Sequence, residues 1–418
     1  MGPFYRVRVS HTPDSWNQQR PQPPEPHGSE QPQAPQQPPH DPYAPRPEPQ
    51  YGQYAPQGQG PQGGQYGPPP QGYAPQYGQY APQGYGPQGG QYGPPPQGYG
   101  PPPAPASSVR PNAEFHELTR GPRWSWWRPL AALGLWIPMG LAVIVVMVVT
   151  LVIPLVAYPD QMDIFEPGGT GETPTMQPLT FLGMNLGLAV LIPATIAVIA
   201  LAYWVRPGFA SSVAGRFRWG WALRCLLVLT PWWVAFLLGF SALMGESFEL
   251  SMHPYFWWML LVVLVTTPLQ AAGEEYLFRG FVMQWFGSWI PWRWISLVVA
   301  TLTTTALFAL AHGSLDPWVL ADLGIFAILA VAMTVRTGGL EAAVVMHAVN
   351  NVVIMVVSLV FGGFEDGFVS ADTTSSAMAV LVSVVLMGVA YLLIEWQWRR
   401  SGHTNRTASA EELAAPRR

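Results

Sequence analysis

The chain has 418 residues, 49% hydrophobic and 11% charged, with a net charge of −4 and not one lysine. Soluble domains carry roughly 25% charged residues, so this composition argues against an ordinary soluble protein, and the acidic balance leaves no basis for nucleic-acid binding. The single cysteine, Cys225, excludes a disulfide framework and a cysteine metal cluster.

In chain order, residues 1–120 read as a low-complexity cytoplasmic tail. Its start, MGPFYRVRVSHTPDSW, has no apolar stretch of the kind a secretory signal needs. Residues 54–73 (YAPQGQGPQGGQYGPPPQGY) recur at 80–99, 26 positions on, with a single difference, Gln59 against Tyr85. A Pro/Gly/Gln/Tyr-rich segment has too few aliphatic side chains to offset chain entropy, which predicts disorder. A solvated tether is the favoured reading. The regular tyrosines also suit weak self-association. Arginine as the sole strong base reads as genomic composition bias, and together with the tail it gives the chain a bacterial look.

From residue 129 the pattern changes. Apolar stretches long enough to cross about 30 Å of hydrocarbon fall at 129–157, 182–205, 221–244, 255–273, 295–311, 317–335, 340–361 and 375–395. Eight such runs so close together are not soluble-core helices. The predicted fold is an all-α polytopic membrane protein, with a membrane domain over 121–400 and a short polar tail over 401–418. Orientation follows the arginines. Arg120, Arg123 and Arg128 precede the first segment, Arg206, Arg216 and Arg218 separate the second and third, and Arg293, Arg336, Arg399 and Arg400 mark the later alternate ends. The other loops carry Asp160, Asp163, Glu166, Glu172, Glu246, Glu249, Glu365, Asp366 and Asp372. Both termini are thereby predicted cytoplasmic, in a multi-pass protein of the plasma membrane.

An ionised side chain at the bilayer centre costs about 3 kcal/mol on insertion scales, so the few polar residues of the apolar segments are functional candidates. Glu275 and Arg279 are spaced i,i+4 with the acid first, the favourable order for a pair. Glu274 points roughly 100° away and lacks that partner, which suits proton transfer; spacing alone does not say which glutamate plays which part. His347 and Asn351 share a helix face and can hold a water, a metal or a developing oxyanion. His312 follows Phe308 by four, so an aromatic ring lies beside it. Each feature alone reads as helix glue. Together, on neighbouring segments, they read as one site.

The motifs E-E-x-x-x-R (EEYLFR), F-x-x-x-H (FALAH) and H-x-x-x-N (HAVNN), in that order and each in an apolar segment, resemble those of the CAAX-protease and bacteriocin-processing family of intramembrane endopeptidases. The resemblance spans about 180–361. It implies an eight-helix membrane fold with a cavity between helices four to seven and a peptide or protein substrate. Glu274 and His312 would activate a water, Glu275 would assist under the orientation of Arg279, and His347 with Asn351 would stabilise the oxyanion. Phe308 would support the site. A divalent metal such as zinc, held by Glu274, His312 and His347, and a metal-free glutamate mechanism are both open; no organic cofactor is implied. H-E-x-x-H and G-x-S-x-G are absent from the sequence. Two other readings stay open: a catalytically silent scaffold or immunity-type protein of the same fold, and a proton-coupled transporter. A fourth segment ending near 273 would leave Glu274 at one end of the bundle and His312 at the other.

Overall fold

The structure, a computed structural model, describes residues 107–164, 175–245 and 249–414. The tyrosine-rich repeats at 54–73 and 80–99 lie outside the described residues. Among the described residues the architecture is helical, and eight helices are long and apolar enough to cross a membrane.

The first span, α1 (Arg128–Ala157), packs on α2 (Pro178–Ala189). The contact is close because Gly183 and Gly187 face Thr150 and Met147 of α1; a Cβ at Gly183 would meet the Thr150 carbonyl. α3 (Leu191–Tyr203) continues α2 after a break at Val190. Pro193 has no N–H to offer the carbonyl of Ala189, so the ladder is interrupted there. α4 (Trp219–Leu243) follows.

The fourth span departs from the sequence expectation. α5 (Phe256–Glu275) does not stop near 273. It widens into a π-helical turn over Tyr276–Val282 and goes on as α6 (Met283–Trp289), a rod of 34 residues. Polar bonds hold the wide turn and its continuation: Tyr276 Oη lies 2.6 Å from Ser211 Oγ, and the Gln284 amide donates to the Phe209 carbonyl at 3.2 Å. The apolar count that ended the segment at 273 stopped at the two glutamates; the fold pairs Glu275 with Arg279 and gives Glu274 the amide of Gln270.

α7 (Arg293–Ala311) and α8 (Pro317–Thr337) form an antiparallel pair. Asp316 caps α8, accepting from the Trp318 and Val319 N–H groups at 3.0 Å. α9 (Glu341–Phe361) is the central helix: every residue from Glu341 to Val349 is buried, and it packs on α4, α5 and α8. α10 (Ala377–Arg399) closes the bundle against α4 and α8.

The helix ends sort into two faces. On one, Arg218 grips the buried Glu341 (Nη2–Oε2 2.7 Å, Nε–Oε1 2.9 Å), and Arg336 and Arg399 share Glu395. On the other, His253 Nε2 lies 3.3 Å from Glu365, which also accepts from the Met176 N–H at 2.8 Å. These are the arginine-rich and acidic sides expected from the loops.

Residues 107–120, assigned to the tail by composition, pack on the arginine face, as do residues of the 401–418 tail. Phe115 and Leu118 are buried, Thr407 N–H donates to the Ala113 carbonyl at 2.9 Å, and Glu114 binds Arg293 through both oxygens (2.6 and 2.8 Å) and also Arg406. Burial works to raise the Glu114 carboxyl, but the hydrogen bond and charge of Arg293, with Arg406, win and hold it below the ordinary carboxylate range. A lowered carboxylate contributes its stabilisation above its unfolded value of about 4.3 and loses it as pH falls through the folded value. Proteolysis within 107–120 is therefore expected to accelerate on acidification below about pH 4, and Glu114→Gln is expected to bring the same cleavage to neutral pH. Equal digestion of both proteins at both pH values would contradict this.

Candidate functional site

The polar residues of α5, α7 and α9 meet inside the bundle. Glu274, Phe308, His312, His347 and Asn351 all line one cavity of about 1220 Å³, together with Gln270, Asn350 and the aromatic rings of Trp233 and Phe326.

The long fourth span brings Glu274 and His312 close in depth. Glu274 lies 15 residues before Trp289 and His312 lies 19 residues after Arg293. At 1.5 Å per residue these are about 22 and 28 Å from neighbouring ends on the arginine face. The gap of roughly 6 Å replaces the separation across the bundle expected from a span ending at 273. The stretch WFGSW forms the last turns of this rod.

Glu275 is fully buried and bonded twice through one oxygen. Arg279 Nη1 donates to its Oε1 at 2.8 Å and His347 Nδ1 lies 3.0 Å from the same atom. The guanidinium also sits over the Phe308 ring, 4.6 Å from its centre. Phe308 is the packing hub: its ring lies 4.8 Å from His312, 5.9 Å from His347 and 5.6 Å from Phe326, parallel to the last. The sequence placed Phe308 beside His312; that it also underlies Arg279 depends on how the π-helical turn packs on α7.

Both histidine tautomers follow from their partners. His312 Nδ1 lies 2.8 Å from the Phe308 carbonyl, which only accepts, so Nδ1 carries the proton and Nε2 is the basic nitrogen. His347 Nδ1 faces an arginine-paired carboxylate, so it too carries the proton and leaves Nε2 basic. That Nε2 lies 3.9 Å from Oε2 of Glu274. The distance is too long for a hydrogen bond and short enough for one water to touch both groups. Among the described contacts His312 bonds Phe308 and not Glu274, so His347 is the histidine next to both glutamates.

Glu274 is partly open, its side chain 13% exposed. Gln270, one turn earlier, donates to its Oε1 and accepts from Asn351 Nδ2 at 3.2 Å. Sequence reasoning passed over Gln270, Asn350 and Trp233. The signal for Gln270 was available: it is i−4 to Glu274, an amide in an apolar helix. Asn350, an amide in an apolar helix beside Asn351, was marked too, whereas Trp233 was not, because only the packing of α4 on α9 joins it to the site.

Glu274, His312 and His347 were candidates for a metal. Among the described residues no three His, Cys, Asp or Glu side chains are grouped so as to hold a metal ion. Glu275, the other carboxylate nearby, is engaged by Arg279 and His347. No chemical step is assigned to a metal.

A backbone contact holds the base of the site. A Cβ on Gly273, next to Glu274, would collide with the Leu188 carbonyl at the α2–α3 break. Gly273→Ala is expected to cost about 1–3 kcal/mol of stability through this overpacking, read as a lower melting temperature of the full chain in detergent. An unchanged midpoint would show that α2 can yield.

The family model for "Type II CAAX prenyl endopeptidase Rce1-like" proteins matches residues 254–353, a stretch that contains each of the three motifs. "Uncharacterized protein YyaK" of Bacillus subtilis (strain 168) is 25% identical over 189 residues, which are 42% of this chain and 60% of that protein. The chain thus spans about 60% of the length of the relative it matches. No solved structure matches the chain.

Proposed function

We propose, from the match of residues 254–353 to the Rce1-like type II CAAX prenyl endopeptidases, that the chain is an intramembrane endopeptidase that hydrolyses a peptide bond of a membrane-associated protein or peptide. The observation that carries the reading is the approach of Glu274 Oε2 to His347 Nε2, 3.9 Å apart on the wall of one cavity.

In this reading Glu274 takes a proton from the water as its oxygen attacks the scissile carbonyl. The C–O bond forms, the C–N bond breaks, and Glu274 returns the proton to the leaving nitrogen. Glu275, bonded to Arg279, accepts from His347 Nδ1 and so keeps that proton there, leaving Nε2 free for the water. Asn351 uses one of its two amide N–H groups on Gln270 and has the second for the developing oxyanion. His312 lines the same cavity with Nε2 unprotonated and able to accept a hydrogen bond there.

Comparative membrane proteomics of cells carrying the wild type or Glu274→Ala tests this directly. Accumulation of uncleaved precursors in the variant alone is the expected result. Identical peptide profiles, or full rescue of a deletion phenotype by the variant, would replace catalysis with a scaffold role.

For the mechanism, the expected results are substoichiometric zinc in the purified protein and cleavage that survives chelation. Stoichiometric metal whose removal abolishes cleavage would overturn the glutamate-only reading.

A further inference from the structure

Four residues outside the charged motif form a single hydrogen-bonded line ending on Glu274. Trp233 Nε1 donates to Asn350 Oδ1 at 3.2 Å, and Asn350 Nδ2 donates to Asn351 Oδ1 at 3.1 Å. Asn351 Nδ2 then donates to Gln270 Oε1 at 3.2 Å, and Gln270 Nε2 donates to Glu274 Oε1. The line runs from α4 through α9 to α5.

Its direction is forced from one end. An indole N–H can only donate. Asn350 must therefore turn its oxygen to Trp233, which leaves its NH₂ for the oxygen of Asn351. The NH₂ of Asn351 then meets the oxygen of Gln270, and the NH₂ of Gln270 meets Glu274. Each amide has its flip set by its neighbour, and the indole sets the first. The terminal atom has to be an acceptor. A carboxylic acid hydroxyl at that place would face an amide nitrogen with nothing to accept it.

We propose that Trp233, Asn350 and Gln270 are positioning residues for the hydrolytic reaction. They hold Glu274 by Oε1 in its acceptor form, so that Oε2 is the oxygen presented to His347 and the water, and they fix the amide of Asn351 with one N–H to spare. Hydrogen bonds in series polarise one another in a low-dielectric interior, so loss of the distant indole donor is felt at the carboxylate. This rests on the reading of Glu274 as the group that takes the water's proton, and the competing account is that the line merely glues three helices together.

The two accounts separate by infrared difference spectroscopy on the full chain in nanodiscs. Trp233→Phe keeps the ring and removes the donor. Its difference spectrum against wild type is expected to show a shift of a carboxylate stretching band, and the shift is expected to vanish when the same pair is compared in a Glu274→Gln background. Trp221→Phe is the matched control. Trp221 is on the same helix and as deeply buried, but its Nε1 has no hydrogen-bond partner among the described residues, so its difference spectrum should lack the band.

Absence of a Glu274-dependent band in Trp233→Phe, or an equal band in Trp221→Phe, overturns the proposal. With a fluorescence-quenched prenylated peptide as probe, Trp233→Phe and Gln270→Met are expected to lower kcat about tenfold with KM within about twofold. A pure KM effect would count against positioning. Should wild type leave the probe intact while the infrared result holds, it is the endopeptidase reading that fails and not the line.

Discussion

Glu274→Gln is expected to lower cleavage by about a thousandfold while the protein folds, extracts and melts as wild type does. The substitution is nearly isosteric. Its amide oxygen can still accept from Gln270, as the carboxylate Oε1 does now, so the positioning contacts survive. What disappears is the basic oxygen 3.9 Å from His347 Nε2. The effect should fall on kcat, because the side chain is asked to move a proton rather than to bind substrate. A variant that cleaves at the wild-type rate would remove Glu274 from the chemistry. A variant that fails to accumulate would show that its charge serves the fold, in which case Glu274→Asp becomes the informative comparison.

The second large effect concerns the fold. Arg279 and Glu275 are both fully buried and 2.8 Å apart. Breaking such a pair from one side leaves an uncompensated charge in a low-dielectric interior, which costs about 3–5 kcal/mol. Arg279→Met should therefore collapse the yield of folded protein, and Glu275→Gln should do the same to a lesser degree, since His347 Nδ1 can still donate to the amide oxygen. Removing both charges together should restore most of the stability, because neither ion is then left alone. The check is a double-mutant cycle on the thermal midpoint in detergent. If the double variant is as unstable as Arg279→Met, the pair is not self-compensating, and packing of the guanidinium on Phe308 carries the stability instead.

How much of the site was visible beforehand depends on the range of each interaction. Glu275–Arg279 and Phe308–His312 are single-turn pairs, and helical periodicity alone brought them together. The separation of Glu274 from Glu275 was also local, since adjacent positions on a helix diverge by about 100°. The grouping of the three motifs came from their common apolar setting and their order, which match the family. Residues whose contacts are formed between helices stayed hidden. Gln270 touches Asn351 across α5 and α9, and Trp233 touches Asn350 across α4 and α9. In the sequence each is one more amide or aromatic.

By itself, then, the sequence determined the membrane class, the eight spans, the two charged faces and the list of polar residues worth testing. Those properties are set by composition, by the length of hydrocarbon to be crossed and by the repeat of one helix. Tertiary structure decided three things: that the fourth span runs on to Trp289 and brings Glu274 close in depth to His312, that His347 sits beside both glutamates, and that residues 107–120 pack on the arginine face. The reason is common to all three: the deciding contacts form between segments far apart in the chain, Gln284 with Phe209, His347 with Glu275 and Arg293 with Glu114, and a count of sequence neighbours does not register them.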